Sequence, residues 1–80
     1  MKKRAQNIPS SFTIVFDREE DGRWIAEVPK LPGVMAYGAT KRDAAHKACA
    51  VALRTLADSA ERGKMTRQLS PLFKYEVARS

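Results

Sequence analysis

Three carboxylates, Asp17, Glu27 and Asp58, stand on separate segments of this 80-residue chain and are its candidates for holding a pair of metal ions. Two-metal hydrolysis needs several acidic groups converging on ions about 4 Å apart, which polarise the scissile bond and activate water. Asp17, however, belongs to an acidic run with Glu19, Glu20 and Asp21, and Asp58 falls on the polar side of a helical pattern. Solvated charge is the preferred reading, so no metal ligand is assigned. The chain has one histidine, His46, and one cysteine, Cys49, which excludes a Cys/His zinc site and an internal disulfide by count. No serine, cysteine or carboxylate is identifiably placed to work with His46 as a general base. Cys49 sits in a row of alanines, where a small core thiol is expected. Neither a catalytic residue nor a cofactor is expected.

Charge offers a second chemistry. The net charge is +6, and it is concentrated at the two ends: Lys2, Lys3 and Arg4, then Lys64, Arg67, Lys74 and Arg79. Such ends could contact phosphates without sequence preference, and Phe73 and Tyr75, which alternate with Lys74, could stack on bases. Against that, the same aromatics suit a core-facing strand, and solvated charge keeps small domains soluble. The middle of the chain is acidic instead. Asp17, Glu19, Glu20, Asp21 and Glu27 outnumber their basic neighbours there and would suit a basic partner.

The elements that must position these groups follow from periodicity. In residues 12–17, Phe12, Ile14 and Phe16 share one face of a strand, and Thr13, Val15 and Asp17 the other. Asp21-Gly22 supplies the positive φ of a tight turn, and residues 23–28 return with Trp24, Ala26 and Val28 on one face. Pro29 and Pro32 bracket Leu31, which can plug the core, and Gly33 turns the chain into a short edge strand at 34–37. Thr40 is a good N-cap with Asp43 three residues on, opening a helix over 41–62 that Gly63 stops. Ala45, Ala48, Cys49, Ala52, Leu53, Leu56 and Ala60 form its expected apolar stripe. After a connection, residues 73–77 alternate as a fourth strand, placed by right-handed crossover beside the first. The expected fold is α+β, β-β-β-α-β, with a small, mainly antiparallel sheet in order 3-2-1-4 and one long helix packed on one face.

Size and composition bound the rest. Eighty residues make one domain, expected over 11–80 behind a flexible basic arm at 1–10, near the lower limit for an unaided core. A homo-oligomer, dimer or higher, is therefore expected. The start Met1-Lys2-Lys3-Arg4 is followed by no apolar signal core, and no run is long enough to span a membrane, so a cytoplasmic location is expected.

The order and spelling of the corners resemble the HicB family of antitoxins, whose core is a degenerate, non-catalytic piece of the RNase H fold. The counterparts here are an aromatic-led first strand, Asp21-Gly22, Trp24, the corner Val28-Pro29-Lys30-Leu31-Pro32-Gly33, Gly38 before the helix and Thr40 at its start. The resemblance implies a non-enzymatic protein that binds a small basic HicA-like mRNA interferase toxin and covers its catalytic surface. Many family members continue into an operator-binding segment. No such tail fits in this chain, so operator DNA is not expected as a partner. The alternative is a stand-alone nucleic-acid-binding module using the basic ends, and a third reading is a remnant hydrolase.

Overall fold

A computed structural model describes residues 11–64 and 69–78. Its elements are β1 (Val15–Arg18), β2 (Trp24–Glu27), β3 (Met35–Gly38), α1 (Lys41–Glu61) and a single 3-10 turn at Ser70–Leu72. The three strands form one antiparallel sheet in the order β1-β2-β3, with α1 against one face. The α+β class and the long helix on one face are as the sequence predicts. The flexible-arm expectation for residues 1–10 lies outside the described residues.

The first hairpin is set by its turn. The Glu19 N–H donates to the Arg23 carbonyl at 2.8 Å and the Gly22 N–H to the Glu19 carbonyl at 2.9 Å, with Gly22 at φ 93°. Only glycine adopts that φ without a steric penalty. The register then runs Arg18 to Trp24, Asp17 to Ile25, Phe16 to Ala26 and Val15 to Glu27. Hydrogen-bonded pairs alternate in an antiparallel ladder, so those following Glu19/Arg23 are Asp17/Ile25 and Val15/Glu27. The next would be Thr13 with Pro29, and proline has no N–H to give. The ladder therefore ends at Val15, three residues after the expected start of the strand. Phe12 and Ile14 still pack on the core as half-buried side chains.

The corner between β2 and β3 is two reverse turns closed by three bonds: Val28 N–H to Val34 carbonyl, Leu31 N–H to Val28 carbonyl and Val34 N–H to Leu31 carbonyl, all 2.9–3.0 Å. Gly33, at φ 85°, makes the reversal. Val28, Leu31 and Val34 are all buried, while both prolines face outward. Leu31 plugs the core as its position between two prolines suggests.

At the start of α1 the Thr40 hydroxyl accepts from the Asp43 N–H at 3.0 Å, and the Asp43 carboxylate reaches back to the Ala39 N–H at 3.3 Å. The capping box thus closes one residue earlier than its usual form. Gly63, in the left-handed region, ends the helix: its N–H donates to the Ala60 carbonyl and that of Lys64 to the Ser59 carbonyl, a Schellman closure.

Two expectations need correction. The buried row of α1 is Ala44, Ala48, Ala52 and Leu56, whereas Cys49, Leu53 and Ala60 are exposed. The helix is rotated from the expected stripe because Gly38 admits the backbone of Ala44. A Cβ on Gly38 would lie 2.8 Å from the Ala44 Cα and the Asp43 Oδ2. With alanine on nearly every side of the helix, apolar patterning could not fix the rotation, and this contact does. Second, residues 73–77 form no strand, so the order 3-2-1-4 is replaced by β1-β2-β3. The outward Arg18 N–H at the β1 edge is already bonded to the Asp17 carboxylate at 2.8 Å. After buried Leu69 the 3-10 turn sends the chain off with Phe73, Tyr75 and Val77 exposed.

The core has two parts. Val28, Leu31, Val34, Ala52, Leu56 and Leu69 form one, and Ala26, Ala44 and Ala48 the other, flanked by half-buried Phe16 and Trp24. Trp24, on the apolar face of its strand, sits at the margin of this core.

Candidate protein-binding face

Strand alternation sends every second residue away from α1, and the register brings these together on an open sheet face. Val15, Glu27 and Met35 form one cross-strand row, and Asp17, Ile25 and Tyr37 the next. Val15, Met35 and Tyr37 are 48%, 40% and 40% exposed, large for side chains on a regular sheet. The Arg23 guanidinium lies over the Tyr37 ring, 4.4 Å from its centroid, at the edge of the patch. The face is therefore an apolar centre with two carboxylates set into it.

The sequence-derived acidic residues divide between two places. Asp17 and Glu27 lie on this open face, and Glu19, Glu20 and Asp21 occupy the adjoining turn, where with Arg18 they line a shallow polar depression. Asp21 accepts from the Arg23 N–H at 3.1 Å and from its Nε at 2.8 Å. The Arg23 backbone N–H is the largest cause holding the Asp21 carboxyl below its ordinary value; desolvation opposes it, and the guanidinium's hydrogen bond and charge add smaller lowering effects. Asp21 is thus partly neutralised by its own neighbour, leaving Glu19 and Glu20 as the turn's unpaired acids among the ion pairs of the described residues.

The apolar members Val15, Ile25, Met35 and Tyr37 were not singled out from sequence. Their positions opposite the core-facing residues are legible from period two, but their grouping depends on register. The motif residues take structural places. Gly22 and Gly33 make the turns, Gly38 seats the helix and Thr40 caps it. Leu31 is buried between outward Pro29 and Pro32. Trp24 packs edge-on against Phe16 at 6.5 Å, with the Arg18 guanidinium 4.9 Å and the Lys41 ammonium 5.6 Å from its ring.

The other candidate sites are not assembled. Asp58 lies on α1 in an ion pair with Arg62 at 3.1 Å, on the opposite side of the sheet from Asp17 and Glu27. Among the described residues no three His, Cys, Asp or Glu side chains group as metal ligands. His46 and Cys49 are exposed on the helix. Of the basic ends, Lys2, Lys3, Arg4, Arg67 and Arg79 lie outside the described residues; Lys64 and Lys74 are exposed, with Lys74 3.9 Å from Glu76. Among the described residues, no helix is long and apolar enough to cross a membrane.

Part of the chain is similar to a UPF0150 protein, Ta0767, of Thermoplasma acidophilum, with 39% identity over 33 residues. That match covers 41% of this chain and spans about half, 48%, of the relative. No family model matches, and no solved structure matches.

Proposed function

We propose that this chain is a non-catalytic, antitoxin-like module of a type II toxin-antitoxin system that captures a small basic HicA-like mRNA interferase in the cytoplasm. The observation that carries this reading is the open sheet face. Among the described residues the three strands are backed by a helix on one side only, and the other side offers Val15, Ile25, Met35 and Tyr37 with Asp17 and Glu27 among them. An apolar centre with embedded carboxylates suits a partner whose own surface is basic. The HicB-like corners support the reading, since each serves a definite structural purpose in this fold. So does the short similarity to a UPF0150 protein, of a HicB-like family. The five acidic residues Asp17, Glu19, Glu20, Asp21 and Glu27 steer the encounter, and the apolar residues supply most of the binding energy.

The test is affinity purification of the tagged chain from its host, with and without nuclease, followed by neutralisation of the co-purified protein's RNA cleavage. A stoichiometric small basic protein that survives nuclease is expected. Replacing Asp17 and Glu27 by lysine should slow its association by about tenfold or more, an effect that shrinks at high salt. A partner bound equally well after that replacement excludes the face. A second reading is favoured by one observation: Phe73 and Tyr75, on either side of Lys74, are exposed rather than packed. Nucleic acid recovered alone and lost at high salt would replace toxin capture with binding through this segment.

A further inference from the structure

The last described stretch carries a concentration of exposed apolar residues. Leu72, Phe73, Tyr75 and Val77 are 52%, 59%, 83% and 93% exposed within six positions. Phe73 has extended backbone, φ −124° and ψ 135°, and residues 73–78 follow with no helix or turn. Phe73, Tyr75 and Val77 alternate with Lys74 and Glu76, the pattern of a strand with one buried face. Among the described residues, no such strand is formed.

The same chain carries a matching vacancy in hydrogen bonding. β1 is an edge of the sheet. The alternation starting from the Glu19–Arg23 bond turns the backbone groups of Phe16 and Arg18 away from β2. The Arg18 N–H is held by Asp17, which leaves the Phe16 N–H and carbonyl and the Arg18 carbonyl facing outward. An edge of this kind is a template for another strand. We infer that the chain forms a two-fold dimer in which residues 73–77 of each copy add to the β1 edge of the other.

Three features favour a second copy as the occupant. Exchange of identical elements satisfies both edges and both segments at once and closes the assembly. The side-chain partition fits antiparallel addition, in which the residues bonded to Phe16 and Arg18 lie on the same face as they do. Phe73, Tyr75 and Val77 then extend the helix-side row of Ile14 and Phe16, and with Tyr75 opposite Phe16, Lys74 joins the open face beside the opposite charge of Asp17. The area is also sufficient. Covering the four exposed apolar residues of both copies removes on the order of 1,000 Å² from solvent, about the threshold for a specific interface. Among the described residues the buried apolar core is thin, with alanine at four of nine positions: Ala26, Ala44, Ala48 and Ala52. A shared sheet would add what it lacks.

Light scattering across a concentration series of the full chain should give a dimer. Tyr75→Pro should raise its dissociation constant by about a hundredfold, because a ladder donor is lost twice per dimer. Its helical circular dichroism should stay unchanged, since Tyr75 lies outside every element of the monomer. Should that variant fail to fold, a mixture of isotope-labelled and unlabelled native chains decides the matter. Intermolecular NOEs from the Tyr75 ring of one copy to Phe16 of the other are expected. A monomer at all concentrations, including one that binds a single-stranded oligonucleotide through Phe73 and Tyr75, overturns the inference. So does a dimer that lacks those NOEs or is unmoved by Tyr75→Pro.

Discussion

The two faces of the sheet are made by alternate residues of the same three strands, yet they have different jobs. The closed face is small where α1 comes down, at Ala26, Ala36 and Gly38, and the helix answers with Ala44, Ala48 and Ala52, while Phe16 and Trp24 flank the contact. Small residues let helix and sheet approach closely, and close packing is where dispersion and burial stabilise most per atom. The open face carries Val15, Ile25, Met35 and Tyr37, larger than the residues of that alanine contact, and no layer over them among the described residues. Bulk placed away from the core adds little to folding. Only beneath the start of the helix is residue size, which usually marks a core, inverted; Phe16 and Trp24 stand at the margin of that closed face. The lesson is that apolar content alone does not say which face of a small sheet is inside.

The sharpest way to break this contrast is to add bulk to the closed face. Gly38→Val places a side chain against the Ala44 backbone, which cannot yield as a side-chain tip would. A loss of about 4 kcal/mol is expected, a large part of the stability of so small a domain, and chemical denaturation would measure it. Truncation comes next. Leu56→Ala, inside the core cluster, should cost about 3 kcal/mol, whereas Met35→Ala on the open face should change stability by about 0.5 kcal/mol or less. Equal losses at the two positions would mean that the open face is covered in the isolated protein. The smallest effect concerns the turn beside that face. The Asp21 carboxyl titrates below its ordinary value of 3.8, so its bonds to Arg23 are fully present above that pH and are lost as pH falls through the lowered value. The Arg23 amide resonance should follow this acid transition and be lost as a reporter in Asp21→Asn.

Much of the fold was legible because local chemistry and tertiary context agree. Asp21-Gly22, Thr40 and Gly63 each act within a few residues, and each does what its type dictates. The two prolines likewise announce their corner. What was not legible depends on contacts between distant segments. The rotation of α1 is decided by Gly38 meeting Ala44, a contact that an alanine-rich pattern does not encode, and Cys49 and Leu53 were misplaced for that reason. The alternation of residues 73–77 identifies a segment able to become a strand but cannot name the edge that receives it. The acidic half of the candidate face, Asp17 and Glu27, was visible in composition. Its apolar half required the register of three strands.

The absence of an N–H on Pro29 also shapes how the chain reaches this structure. A hairpin zips outward from its turn in about 1–10 μs. Here it can add pairs only as far as Val15 and Glu27 before the next donor is missing. Sliding one strand by a single residue would point the apolar set of that strand to the wrong side. Sliding it by two would leave the turn without the spacing that Gly22 requires. The hairpin therefore has one length and one alignment from the moment it forms. What remains for the slower steps is the pairing of β3 to a hairpin already in register and the docking of a single helix over β2 and β3.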